Sequence, residues 1–203
     1  MSGASTGSIA VVDYRAGNLS SVVKALRFLG AEPEVTSDPG VVSRAAKILL
    51  PGVGHFAATR LLAELGLTEA IRSGVGRGVP FFGICVGLQW IFEGSTEAPE
   101  VAGAAFLEGR CERFETIEKV PHVGWNSISV SPGSRLMKGI DSGEHVYFTH
   151  SYRAPIHQST VAVAEYGGPF TAAMESGNLM GVQFHPEKSG RAGLQILKNF
   201  LEL

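Results

Sequence analysis

Val79-Pro80-Phe81-Phe82-Gly83-Ile84-Cys85-Val86-Gly87-Leu88-Gln89-Trp90-Ile91-Phe92 carries two unlike patterns back to back. The first six residues form an apolar run broken by one glycine, the signature of a strand buried on both faces. From about Val86 to Phe92 the stretch reads as a helix. Cys85 stands at the junction between Gly83 and Gly87, two residues that let the backbone double back on itself. A side chain squeezed into such a turn projects above the carboxyl edge of the sheet, the geometry of a nucleophile elbow with Cys in place of Ser. The start of the helix favours negative charge on the sulfur, and the backbone N–H of Val86 is left free to donate to an oxyanion. The competing reading is a buried cysteine acting as a small hydrophobe, and the flanking glycines argue against it.

Upstream the alternation of strand and helix recurs. Ser8 to Tyr14 is a β-branched apolar run and reads as a strand. Leu19, Val22, Val23 and Leu26 lie at i, i+3, i+4 and i+7, which predicts an amphipathic helix with Asn18 as N-cap and Gly30 as its stop. Pro33–Thr36 and Lys47–Leu50 are further strands, the second ended by Pro51-Gly52, and helical stretches follow at about Phe56–Glu64 and Thr68–Ser73. This order predicts an α/β fold with a mainly parallel sheet and helices on both faces. Beyond residue 101 short strands between turn signals predict an antiparallel extension: Ala104–Phe106, Gly109–Phe114, Ser127–Val130, His145–His150, Thr160–Tyr166 and Leu179–Phe184. Leu194, Leu197 and Leu201, widened by Ile196 and Phe200, predict a closing helix that docks on the sheet.

Composition bounds the function. Of 203 residues, 44% are hydrophobic and 18% charged, which excludes an intrinsically disordered chain. A formal net charge of −2 leaves no electrostatic footprint for nucleic acid. Two cysteines, Cys85 and Cys111, cannot build a disulfide framework, and Cys111 reads as core or strand filler. The stretch Val79–Phe92 is too short to span a bilayer, and the opening residues lack the basic start of a signal peptide. The expectation is a cytoplasmic protein without membrane contact. No repeat or low-complexity block divides it, so residues 1–203 read as one domain, with residues 1–7 a small, polar, disordered tail.

Two further motifs bear on Cys85. Gln183-Phe184-His185-Pro186-Glu187 ends a predicted strand, and His185 and Glu187, two apart in extended backbone, share a face. Such a pair supplies a base and the group that orients it, and its competing reading is a solvated loop. Pro51-Gly52-Val53-Gly54 follows a predicted strand, and its glycines let the backbone aim an N–H at a ligand or merely turn a corner. Six histidines and two cysteines show no metal-ligand spacing, and no phosphate-cradling loop appears, so neither a metal nor a cofactor is expected.

Together, Gly83–Gln89, Pro51–Gly54 and His185–Glu187 resemble the motifs of the triad-type (class I) glutamine amidotransferases. Asp13-Tyr14 with Gly17-Asn18, Pro121–Asn126 and Tyr147–Tyr152 resemble, within that family, the glutaminase subunits of imidazole glycerol phosphate synthases. The resemblance implies the family's flavodoxin-like sheet and a Cys85–His185–Glu187 triad. In it, Cys85 attacks glutamine's side-chain amide, Val86, Val53 and Gly54 form the oxyanion hole through their backbone, and His185 moves the protons. It further implies that Gly52, Gln89, Glu93, His150, Ser151 and Tyr152 bind L-glutamine. The motif set holds nothing that would consume ammonia. The resemblance therefore implies a (β/α)₈-barrel cyclase subunit in a heterodimer, met by Asn18, Pro121, Trp125 and Asn126. Three other readings stay open: the glutaminase of pyridoxal phosphate synthesis, an elbow-cysteine protein of the deglycase kind, and a non-catalytic binding module.

Overall fold

The computed structural model describes residues 8–16 and 18–203, so the expected tail at residues 1–7 lies outside the described residues, as does Gly17. In chain order the strands are β1 (Ile9–Val12), β2 (Pro33–Thr36), β3 (Lys47–Gly52), β4 (Phe81–Cys85), β5 (Gly94–Ser95), β6 (Arg110–Arg113) and β7 (His122–Ser127). They continue with β8 (Ser129–Val130), β9 (His145–His150), β10 (Tyr152–Arg153), β11 (Thr160–Glu165), β12 (Pro169–Ser176) and β13 (Leu179–Val182). The α-helices are α1 (Leu19–Phe28), α2 (Pro39–Arg44), α3 (Arg60–Glu64), α4 (Leu67–Gly76), α5 (Val86–Ile91) and α6 (Gly190–Leu201), with 3₁₀ turns at Phe56–Thr59 and Pro186–Lys188.

Eight strands form the main sheet in the order β2-β1-β3-β4-β13-β12-β11-β8. The pairings from β2 through β13 are parallel, and those from β13 to β8 are antiparallel. The mainly parallel sheet with an antiparallel extension is therefore present. Both faces are covered. Ile48 pairs with Phe81 and Leu49 with Phe82, so each pair shares a face. Ile48 packs under Gly74 of α4, and Phe81 meets Trp90 of α5. On the opposite face Phe82 stacks on Phe200 of α6 at 5.1 Å, as expected for a docked closing helix. Among the described residues no helix is long and apolar enough to cross a membrane.

Several local expectations need correction. Asn18 stands at the N-cap position of α1 as expected, but its side chain makes no capping hydrogen bond and its amide donates instead to Ser21 Oγ at 2.9 Å. Gly30 does stop the helix, at φ +83. Strand β3 runs on through Pro51-Gly52, which pair with Ile84 and Cys85. Ala104–Phe106 is no strand: the N–H groups of Ala104, Ala105 and Phe106 donate to the carbonyls of Trp90, Phe92 and Ile91, satisfying the open end of α5. Within Pro121–Asn126, expected to face a partner, residues from His122 onward form strand β7, paired with β9. Strand β12 and helix α2 were not anticipated.

Candidate active site

Cys85 ends β4 with φ +54 and ψ −106, a left-handed backbone that a β-carbon disfavours. The two flanking glycines make this turn possible. A β-carbon on Gly83 would collide with the Gly87 carbonyl, and one on Gly87 with the Leu50 carbonyl. Strand β4, the first turn of α5 and strand β3 thus touch backbone to backbone. These close approaches hold the sulfur-bearing residue at the carboxyl edge of the sheet, where Gly52 of β3 lies directly across from it.

His185 arrives from the far end of β13 and is fixed by β9. Its N–H donates to the Tyr147 carbonyl at 2.9 Å, and its own carbonyl accepts from Ser189 Oγ at 2.6 Å. The ring Nδ1 lies 2.9 Å from Glu187 Oε1, with both side chains 1% exposed. The pair does not meet through strand alternation as expected. His185 is extended, but Glu187 stands in the Pro186–Lys188 turn, which folds its carboxylate back under the ring. Nε2, the free ring nitrogen, has no partner of hydrogen-bond geometry among the described residues. Burial pushes the His185 pKa down, but the Cys85 sulfur and the Glu187 carboxylate override it and carry it up to about 9. Of the expected triad, His185 and Glu187 are in direct contact, and the Cys85 sulfur acts on the ring through its charge.

A cavity of about 270 Å³ opens beside the sulfur, lined by Val53, Gly54, Cys85, Val86, Gln89 and Glu97 on one side and by Pro121 and Thr149–Tyr152 on the other. Of the expected glutamine ligands, Gln89, His150, Ser151 and Tyr152 line it. Gly52 does not; a β-carbon there would run into the Tyr14 hydroxyl, the Val86 side chain and the Gly87 nitrogen. Glu93 does not either. It is exposed, and its carboxylate accepts from Gly109 N at 3.0 Å, because α5 has ended and the chain has already turned outward. Glu97, which the sequence reading passed over, takes the acidic place in the lining, and its Oε2 accepts from Phe56 N at 2.7 Å. Glu97 follows the short strand β5, so no helical spacing from Cys85 points to it.

Of the expected partner contacts, Trp125 is 57% exposed beside Val123 at 56%. Pro121 instead lines the cavity. Asn126 is engaged within the chain, donating to the Glu165 carbonyl at 2.9 Å. Two buried histidines occupy β7 and β9: His122 Nδ1 lies 3.1 Å from His150 Nε2, and His150 Nδ1 2.9 Å from the Tyr152 carbonyl. A carbonyl only accepts, so His150 carries its proton on Nδ1 and His122 donates to His150. Burial holds both neutral, with pKa values lowered to about 4 for His122 and about 3 for His150. Among the described residues no cluster of His, Cys, Asp and Glu could hold a metal ion.

Comparison with known proteins places this arrangement. Residues 10–203 match the family described as glutamine amidotransferase class-I. The chain is 48% identical over 198 residues to imidazole glycerol phosphate synthase subunit HisH of Moorella thermoacetica, covering 96% of this chain and 94% of that one. It is 45% identical to the HisH subunit of Methanothermobacter thermautotrophicus, covering 96% and 98%. Among solved structures, a glutamine amidotransferase superposes with TM-score 0.75 at 21% identity over 95% of this chain and 97% of that one. PurLQS from Thermotoga maritima gives 0.72 at 20% over 96% and 97%. These two likenesses establish the fold. The motif-bearing site and the sequence matches together show that the chain belongs to the class-I glutamine amidotransferases, among the HisH subunits of imidazole glycerol phosphate synthase.

Proposed function

We propose that this chain hydrolyses L-glutamine to glutamate and ammonia through a Cys85 thioester and passes the ammonia to a cyclase subunit in histidine biosynthesis. The observation that carries this reading is a strained cysteine at a small polar cavity, with a buried His185–Glu187 pair beside it. The thiolate attacks the amide carbon, and the backbone N–H groups of Val86 and the Val53–Gly54 loop receive the oxyanion. Each such donor is worth about 10²–10³ in rate. His185, protonated at neutral pH, gives its proton to the departing ammonia as the C–N bond breaks. The neutral ring then takes a proton from water, which attacks the thioester; glutamate leaves and the electron pair returns to sulfur.

Both hydrogens of the Gln89 amide face acceptors within the protein, at Tyr152 O and Gln183 Oε1, so Gln89 offers the cavity its oxygen. Glu97 offers a carboxylate to the substrate's α-ammonium, and the His150–Tyr152 backbone completes the pocket. The chain acts as one cytoplasmic domain over residues 1–203. Its partner is a (β/α)₈ barrel in a heterodimer, seated over the exposed face of Trp125 and Val123 and the start of α1 at Asn18. The word "subunit" in the relatives' names supports such an assembly. Glutaminase assays with and without the barrel subunit and its ligand test this. The partner should accelerate turnover, and Cys85→Ala should abolish it with the fold intact; undiminished hydrolysis in that variant would reject the mechanism.

A further inference from the structure

Gln183 is fully buried one residue beyond β13, and its backbone N–H donates to the Ala172 carbonyl at 2.8 Å. Its side-chain Nε2 lies 3.7 Å from Cys85 Sγ, within hydrogen-bonding reach of a large sulfur atom. Its Oε1 lies 3.3 Å from Gln89 Nε2, which also sits 2.9 Å from the Tyr152 carbonyl. The direction of each link is forced. The Tyr152 carbonyl only accepts, so the Gln89 NH₂ points to it and, with its second hydrogen, to Gln183 Oε1. The NH₂ of Gln183 is then left facing the sulfur. Flipping that amide would set NH₂ against NH₂ and an oxygen against a thiolate.

We propose that Gln183 is a further catalytic residue: its side-chain N–H donates to the Cys85 sulfur, and Gln89 is the positioning residue that keeps this amide from flipping. The inference rests on Cys85 being the nucleophile. An amide has no proton to exchange with His185, so it stabilises the sulfur anion without competing for the ring. The donor serves twice. It holds the thiolate before attack, when the sulfur's electron pair forms the S–C bond. It receives the charge again when hydrolysis breaks that bond and returns the pair to sulfur. The titratable groups facing the sulfur are His185, backed by Glu187, Tyr14 and, around the cavity, Glu97, His150 and Tyr152; the Gln183 side chain hydrogen-bonds none of them, its partners being Gln89 and the sulfur.

The test is the pH dependence of Cys85 alkylation by iodoacetamide in the full chain. Cys85→Ala supplies the blank for Cys111, which is fully buried. Gln183→Met keeps the volume and removes the donor. Its rate at pH 7 should fall about tenfold and its half-maximal pH rise by about one unit, the effect of one hydrogen bond to a charged group. Gln89→Met should move the profile the same way by less. A Gln183→Met profile that overlays the native one overturns the proposal. Should that variant not fold, Gln183→Glu sets a carboxylate against the sulfur and must move the profile further upward; an unmoved profile there overturns it equally. Iodoacetamide needs no glutamine site, so the two readings fail separately. Native glutamine turnover with an unmoved profile sinks the role of Gln183 alone, while a native chain without glutamine turnover alongside its partner sinks the proposed function.

Discussion

Cys85 and His185 meet at one site but are held there by opposite means. The cysteine sits in the parallel half of the sheet, fixed by backbone sterics: a positive φ and two glycines whose surroundings leave no room for a β-carbon. The histidine comes from the edge of the antiparallel half and is fixed by hydrogen bonds to Tyr147, Ser189 and Glu187. A site built from sterics fails by not folding; one built from hydrogen bonds fails by losing its chemistry. The two halves should therefore respond differently to substitution.

The largest effect is expected at the elbow. Gly87→Ala drives a methyl into the Leu50 carbonyl, a backbone atom that cannot swing away. It should cost about 3 kcal/mol or more of stability, read as a lowered urea midpoint. A midpoint within error of the native chain would show that the sheet edge yields and that sterics do not hold the cysteine.

Glu187→Gln tests the other half. The ring stays packed but loses its charged partner, so glutamine turnover should fall about 10²-fold, while the urea midpoint falls by less than in Gly87→Ala. A parallel loss of stability would erase the contrast between the halves.

The pH dependence of stability sharpens it. The folded-state pKa of His185 is raised to about 9 from an unfolded value near 6.5. The unfolded chain therefore binds fewer protons between these values, and the stability this group contributes is complete below pH 6.5 and lost as pH rises through 9. His122 and His150 are depressed to about 4 and about 3, so their contribution is present above pH 6.5 and lost as pH falls toward those values. Urea midpoints should decline on both flanks. Cys85→Ala should flatten the alkaline flank, since the sulfur is one cause of the raised value, and leave the acid flank alone.

The smallest expected effect separates two glutamates four residues apart. Glu97→Gln should raise the KM for glutamine about tenfold, the loss of one charge-assisted contact, while Glu93→Gln on the outer surface leaves it unchanged. Equal effects would mean that the turn after α5 does not sort them.

What was legible in the sequence follows this division. The elbow could be read because its determinants are adjacent: an apolar run, a cysteine and two glycines within five residues. Helix α2 also left a local signal, Asp38 accepting from Gly40 N at 2.7 Å with Pro39 at the first helical position, but six residues give too little periodicity to claim. Strand β12 was hidden because Gly167-Gly168-Pro169 reads as a turn and Ala172, Ala173 and Glu175 are weak strand formers. Its identity comes from β11 and β13 pairing on either side.

By itself the sequence determined the alternating α/β order, the strained cysteine and the three motifs of the family, because each depends on neighbours along the chain. Only the tertiary structure decided that Glu97 rather than Glu93 faces the cavity, that Pro121 lines it, and that Gln183 and Gln89 form a hydrogen-bonded chain to the sulfur. Those choices depend on which strands lie side by side and where a helix stops. Packing between segments up to a hundred residues apart settles both, and no local spacing encodes it.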